Sequence, residues 1–402
     1  MRRHHLSLLG WLACAAPAAA QVRPGIEVLL SDSSQLVRGK RVGLLTNQTG
    51  VDRAGHRDID LLRRLPDTRL VLLLGPEHGL SGAADRPGLP DAVDSATGLP
   101  IYSLYGGTPL AAIALLDSVD LLLVDLQDAG ARYYSYPATA LLLMREAARR
   151  GHAIVVLDRP DPVGGAAVQG NLPARPGPSD LLAVPMRHGM TLGELLRMAN
   201  VVDAIHAALT VVPAAGWHRS QFYDATGLPW VRPSPNMPDL ESAFHYPGTC
   251  LFEGTNLSVA RGTPFAFQAI GAPWLDTAAV LAHLHAARRQ GQLTGVRVSG
   301  VAFTPEAPGD AKYDGVPVAG LRLHVTDRGR YDPTRSAVAL LTAIRAVHRD
   351  SLRFNGPRFD WLAGGPALRE ALVAGRPVTA IVREWQPALA RFRRARAPYL
   401  LY

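Results

Sequence analysis

The chain has 402 residues, 48% of them hydrophobic and 19% charged, which describes a folded globular protein long enough for two domains and excludes a disordered or fibrous one. Its 42 Lys and Arg against 34 Asp and Glu give a formal net charge of +8, a balance that suits an acidic partner such as a cell-wall polymer. The basic residues are dispersed and not interleaved with aromatics, so nucleic acid is not expected as a partner; the one basic run, RFRRARAP (391–398), reads as the solvated face of a C-terminal helix.

The first twenty residues have a basic start, an apolar core from Leu6 to Ala16 and Ala18-Ala19-Ala20 before Gln21. This is the pattern of a secretory signal peptide cleaved near Ala20. The apolar run is too short to span a bilayer, and no other stretch is apolar for about 18 residues, so no membrane span is expected. Cys14 raises a lipoprotein alternative, against which Trp11 stands where such signals usually carry leucine. Cleavage leaves Cys250 alone, so a secreted protein, periplasmic or at the cell surface and without an internal disulfide, is expected.

Four aliphatic runs follow: KRVGLLTN (40–47), RLVLLLGP (69–76), VDLLLVDLQD (119–128) and HAIVVLDRP (152–160). Their unbroken apolar character predicts strands of a parallel sheet covered on both faces. Helical patterns lie between them at 58–67, 108–118 and 138–151, the last ending on Gly151. Alternation of this kind predicts a doubly wound α/β domain. The Pro-rich stretch 230–248 breaks the rhythm and reads as the passage to a second domain. That second part mixes helices (277–291, 336–350, 367–375) with strands (295–305, 320–327).

In an open parallel sheet, ligands sit at the carboxyl ends of the strands. The first run ends on Asn47, with Gln48 next. The second ends in GPEHG, presenting Glu77 and His78. The third presents Asp125, Gln127, Asp128, Arg132 and Tyr134, and the fourth Asp158 and Arg159. Asp158-Arg159 reads equally as a structural ion pair, and Asn47 to Gly50 as a plain turn. A Glu-His pair is an odd choice for a plain turn, so GPEHG is the leading catalytic candidate. Arg187 and His188 precede a helix in which Thr191 and Glu194 form a capping box, and His188 reads as a substrate contact or as structure. No G-x-G-x-x-G or Walker loop is present, so no nucleotide cofactor is expected. The 13 histidines lack zinc-type spacing and no G-x-S-x-G elbow occurs, so neither a metal nor a serine nucleophile is expected.

The stretches GPEHGLSG, TGLPIYSLYG, DLQDAGARYYSY, VLDRPDPVGG, MRHGMTLGE, TGLPWVRPSPNMP, YPGTCLFEGTNLS, RGT and IGAPW, with the closing FRRARAPYLLY, occur in this order. Together they resemble the NamZ-type exo-β-N-acetylmuramidases over about residues 25 to 402. The resemblance implies a Rossmann-like catalytic domain (25–246) and an auxiliary α+β domain (247–402) closing a cleft; on the missing motifs, no cofactor is expected. It implies release of β-linked N-acetylmuramic acid from the non-reducing end of peptidoglycan-derived glycan fragments. Two departures stand out. Many relatives read S-E-G-R-G-T where this chain has Ser258-Val259-Ala260-Arg261-Gly262-Thr263, and GAADRPG (82–88) reads as an insertion that reshapes the loop after Glu77.

Glycosidic cleavage needs a proton donor and stabilisation of an oxocarbenium-like transition state. Within the resemblance, Glu77 is the expected acid and His78 orients it or shares its proton. Asp125 and Asp128 are candidates for the second carboxylate, with Glu253 reaching in from the other domain. The substrate's own acetamido group is an alternative nucleophile, and elimination is an alternative outcome. Arg132, Arg159 and Arg187 suit the lactyl carboxylate, and Tyr134, Asn236 and Asn256 the hydroxyl and acetamido groups. A non-catalytic wall-sugar-binding protein on the same fold would not need Glu77. A phosphatase-like enzyme would need a metal cluster that the spacing does not offer.

Overall fold

The structure, a computed structural model, describes residues 21–105, 114–174 and 183–402. The expected signal peptide with Cys14, and residues 108–113 of the helix expected over 108–118, lie outside them. Strands β1 (Arg41–Thr46), β2 (Arg69–Gly75), β3 (Ala92–Val93), β4 (Pro100–Ser103), β5 (Leu121–Asp125), β6 (Ala153–Leu157) and β7 (Leu209–Val212) form one sheet in the order β3-β4-β2-β1-β5-β6-β7. All its described pairings are parallel except that of β3 with β4. The chain steps from β1 through β2 to β4 on one side, then lays β5, β6 and β7 on the other, as a doubly wound sheet does. The strands β4 (PIYS) and β7 (LTVV) escape a reading that looks for long aliphatic runs, because each has four residues.

The aliphatic runs are continuous because alternate residues serve opposite cores. Leu44, Leu73, Leu123 and Val155 pack with Leu29 of α1 (Gly25–Asp32) and Leu62 of α2 (Asp58–Arg63). Leu45, Leu74, Val124 and Val156 face the other side, with Met144 of α3 (Ser135–Arg150) and Leu196 of α4 (Leu192–Val202). Helix α3 stops at Gly151, whose φ of 70° terminates it in the left-handed region. Helix α4 opens on the expected capping box of Thr191 and Glu194.

The stretch read as the passage to a second domain contains a helix, α5 (Leu240–Thr249), which runs through residue 246. Asp239 starts it by accepting from Ser242 N at 2.9 Å, an N-cap that outweighs the prolines around it. Beyond it β8 (Ala269–Ala272), β9 (Val296–Phe303) and β10 (Val318–Val325) make an antiparallel sheet in the order β8-β10-β9. It is accompanied by α6 (Thr277–Arg289), α7 (Pro333–Val347), α8 (Gly356–Ala363), α9 (Ala367–Val373) and α10 (Val378–Arg396). One apolar cluster runs from Leu74 and Val124 into Leu340, Ile344 and Leu389, so the two sheets share a core. The basic tail is not simply a solvated face. Arg396 is 6% exposed and donates to His188 O at 2.9 Å, because its planar fork matches loop carbonyls. No helix among the described residues is long and apolar enough to cross a membrane.

Candidate active site

The aliphatic run of β2 ends at Gly75, and the chain then turns sharply. His78 (φ 70°) and Gly79 (φ 73°) are both left-handed, a conformation uncommon for histidine. The turn is held by Gly79 N to Pro76 O at 2.9 Å and by His78 Nδ1 to Ala84 O at 2.6 Å. A carbonyl only accepts, so His78 carries a proton on Nδ1. His78 thus braces the loop, while Glu77 is gripped by other residues. Glu77 accepts from the hydroxyl of Ser135, the first residue of α3, and pairs with Tyr105. Burial and then the Glu77 contact push the Tyr105 hydroxyl well above the usual tyrosine range.

These groups open onto a cavity of about 260 Å³ between the carboxyl ends of β2, β4 and β5 and the second half of the chain. From that half comes Glu253, in the turn after α5. Its Oε1 accepts from Arg261 Nη2 at 2.6 Å, and its Oε2 from Arg358 Nη2 at 2.9 Å. Burial pushes the Glu253 carboxyl up, but attraction to Arg261 and then Arg358 more than offsets this and leaves it below its ordinary value. Tyr133, Tyr134, Tyr246, Phe267 and Trp361 supply aromatic wall. Such faces suit the C–H surface of a sugar ring, with a few polar groups fixing its orientation.

The cavity therefore unites four of the expected residues: Glu77, His78, Tyr134 and Glu253. Tyr134 contributes its ring, since its hydroxyl is spent on Pro233 O at 2.9 Å. The remaining expected residues do not line it. Asp125 is fully buried and tied to Arg159, whose Nη2 donates to Asp125 Oδ2 at 2.9 Å and to Val51 O at 2.9 Å. Asp158 does not pair with Arg159; it accepts from Thr191 Oγ1 at 2.6 Å, Gly193 N at 2.9 Å and Tyr402 OH at 2.8 Å. Asp128 accepts from Gly130 N at 2.9 Å and faces His188 Nε2 at 3.4 Å, both groups buried. Gln127 donates to Asp128 O and Pro160 O, each at 2.9 Å.

Two further arginines are also consumed by the protein. Arg132 donates to Asn171 O at 2.7 Å and to Leu362 O at 2.8 Å, linking the two halves. Arg187 gives Nη1 to Gln169 Oε1 at 3.0 Å and Nη2 to Val163 O. Asn256 is a strut, with Nδ2 on Ser351 O at 2.9 Å and Oδ1 taking Arg353 N at 2.9 Å. Asn236 holds Asp85, itself in the cavity wall, at 2.8 Å. Asn47 lines a different cavity, of about 480 Å³, on whose wall His78 also lies. For the arginines, Gln127 and Asn256 the underlying reason is common. A strand end places a residue on the rim, but loop carbonyls there need donors, and buried side chains supply them.

Sequence reasoning missed Tyr105, Ser135, Asp85, Arg261 and Arg358. Ser135, Tyr105 and Arg261 stand inside stretches that carry the family resemblance, and Asp85 inside the apparent insertion. Arg358, in NGPRFD, had no signal. Among the described residues no group of three or more His, Cys, Asp or Glu side chains could hold a metal ion.

Fold and site together define a doubly wound α/β protein whose carboxyl-bearing pocket is closed by a second α+β unit, an arrangement suited to acid-assisted chemistry on a small polar ligand. The chain belongs to the NamZ exo-β-N-acetylmuramidase family: that family's N-terminal model matches residues 42–241 and its C-terminal model residues 244–402. Over 388 residues it is 38% identical to the peptidoglycan β-N-acetylmuramidase NamZ of Bacillus subtilis (strain 168), covering 95% of this chain and 92% of that protein. Two crystal structures of DUF1343 family proteins from Bacteroides fragilis NCTC 9343 share the fold. One has a TM-score of 0.86 at 31% identity, covering 96% of this chain and 100% of that one. The other has a TM-score of 0.76 at 29% identity, covering 95% and 99%.

Proposed function

We propose that this protein is an exo-acting glycosidase that releases β-linked N-acetylmuramic acid from the non-reducing end of peptidoglycan fragments, with Glu77 as its proton donor. The observation that carries the reading is the Glu77 carboxyl, held by Ser135 beside Tyr105 at the wall of an aromatic-lined cavity. The cavity's volume of about 260 Å³ is small beside ligand sites of roughly 300–1,000 Å³, and it suits one terminal sugar rather than a threaded chain.

In this mechanism Glu77 gives its proton to the glycosidic oxygen as the bond to the anomeric carbon breaks. Positive charge then grows on the ring, and Glu253, kept ionised by its two arginines, steadies it across the cavity. Water adds to the anomeric carbon and its proton returns to Glu77. The alanine-ended leader of residues 1–20 and the extracytoplasmic location of the polymer support export of the mature chain, which N-terminal sequencing of the exported form would find starting near Gln21.

The test is release of N-acetylmuramic acid from a synthetic β-muramide by wild type and Glu77→Gln. Loss of turnover with sugar binding retained is the expected result. Equal hydrolysis by both would remove Glu77 from the mechanism. Binding without turnover by wild type would make the protein a wall-sugar-binding module, and a product lighter by one water would make the reaction an elimination.

A further inference from the structure

Three arginines that the sequence offers for an acidic ligand, Arg132, Arg159 and Arg187, are spent inside the protein. Two others stand at the cavity: Arg261 and Arg358. Each lies over an aromatic ring, Arg261 at 5.1 Å from the Phe267 centroid and Arg358 at 4.8 Å from that of Trp361. Stacking fixes the plane of each guanidinium and leaves its edge for hydrogen bonding.

The donors are unequally committed. Arg261 gives Nε and Nη2 to Glu253 Oε1 at 3.0 and 2.6 Å, and its Nη1 lies 3.5 Å from Asp85 Oδ1. Arg358 gives Nη2 to Glu253 Oε2 at 2.9 Å, and its other side-chain N–H groups have no protein acceptor among the described residues. Its side chain is 46% exposed. A guanidinium carries five N–H donors. Glu253 takes only one of these donors, and Arg261 has Asp85 as a second acidic neighbour, so free donors remain on Arg358 at the mouth of a cavity built for a sugar. A planar fork of this kind matches a carboxylate in two-point contact.

We propose that Arg358, oriented by Glu253 and Trp361, binds the lactyl carboxylate of the terminal sugar and so makes the site select N-acetylmuramic acid over a neutral N-acetylhexosamine. The inference rests on the glycosidase reading for its substrate, but its test does not rest on turnover. Arg358 is a specificity residue here, acting on a group remote from the bond that breaks.

The experiment measures two quantities for wild type, Arg358→Ala and Arg358→Lys. One is equilibrium binding of free N-acetylmuramic acid and of N-acetylglucosamine. The other is kcat/KM on aryl β-glycosides of the same two sugars. Wild type prefers the acid in both. Arg358→Ala loses roughly 10- to 100-fold on the muramic sugar, the range for one charge-assisted contact, while its weak response to the neutral sugar is unchanged. Arg358→Lys recovers part of the preference. A wall residue with only a structural role would lower both sugars together and leave their ratio intact, which overturns the proposal. Equal binding of the two sugars by wild type overturns it as well. Selective binding that Arg358→Ala abolishes, with no hydrolysis by any form, upholds it while refuting the glycosidase reading.

Discussion

Asp125 and Arg159 form a two-point ion pair at the end of β5, Nε facing Oδ1 and Nη2 donating to Oδ2 at 2.9 Å, with the carboxylate fully buried. Asp58 lies beside them, and burial and then the Asp125 charge push its carboxyl well above the usual range. The place where a doubly wound sheet commonly admits its ligand is here plugged by protein charges. Asp125→Asn leaves Arg159 buried without its partner, and a broken buried pair costs about 3–5 kcal/mol. Urea unfolding at neutral pH should show that loss. A variant with wild-type stability and no turnover would instead make Asp125 a catalytic group.

The grip on Glu77 makes a second expectation. Ser135 and Tyr105 reach it from different elements and fix the direction of its carboxyl. Ser135→Ala and Tyr105→Phe each remove one contact to a group whose aim matters in the transition state. Each should lower kcat by up to about tenfold, with KM nearly unchanged, the scale of one hydrogen bond. The double variant should lose less than the product of the two, because both act on one carboxyl. A rise in KM alone would place these hydroxyls in binding.

How far the sequence reached follows from which rules apply where. Long aliphatic strands announce themselves, and the carboxyl end of one of them leads to Glu77, which lines the cavity. The same rule could not tell Glu77 from Asp125, because it fixes a rim position and not the direction of a side chain. Glu77 stands within a turn shaped by the left-handed His78 and Gly79, whereas Asp125 is still inside β5 and points at Arg159. The cavity's arginines come from the second half of the chain. There no strand-end rule operates, and Arg358 owes its place to the start of a short helix capped by Asn355.

Tyr402 should matter to stability. Tyr402 donates to Asp158 Oδ2 at 2.8 Å, accepts from Ala214 N at 2.8 Å, and stacks edge-on with Trp217 at 4.8 Å between centroids. Tyr402→Phe keeps the ring but strands a buried amide, at about 1–3 kcal/mol. Deleting Leu401 as well removes its N–H from Glu194 Oε1, 2.7 Å away, and should cost more. Chemical denaturation of the two variants orders these losses; equal stability of both with wild type would make the tail an ornament of the fold.

Asp161 gives the fold a pH dependence of defined sign. It is buried near His188 and Asp128, and burial pushes its carboxyl up to about 7, a change that His188 opposes and Asp128 reinforces. An unfolded aspartate ionises near 4. Between about pH 4 and 7 the folded protein therefore holds a proton that the unfolded chain has lost, so this group's contribution to stability falls as pH rises, and the full cost stands above about 7. Asp161→Asn keeps an oxygen for Val163 N, now 3.1 Å from Asp161 Oδ1, and cannot ionise. It should match wild type near pH 4 and exceed it by roughly 2–4 kcal/mol at pH 8, since a tenfold difference in proton affinity is worth about 1.4 kcal/mol. Urea titrations at pH 4, 6 and 8 read the difference directly. A gap between the two proteins that stays constant across that window would mean that Asp161 does not titrate there, and would overturn the assignment.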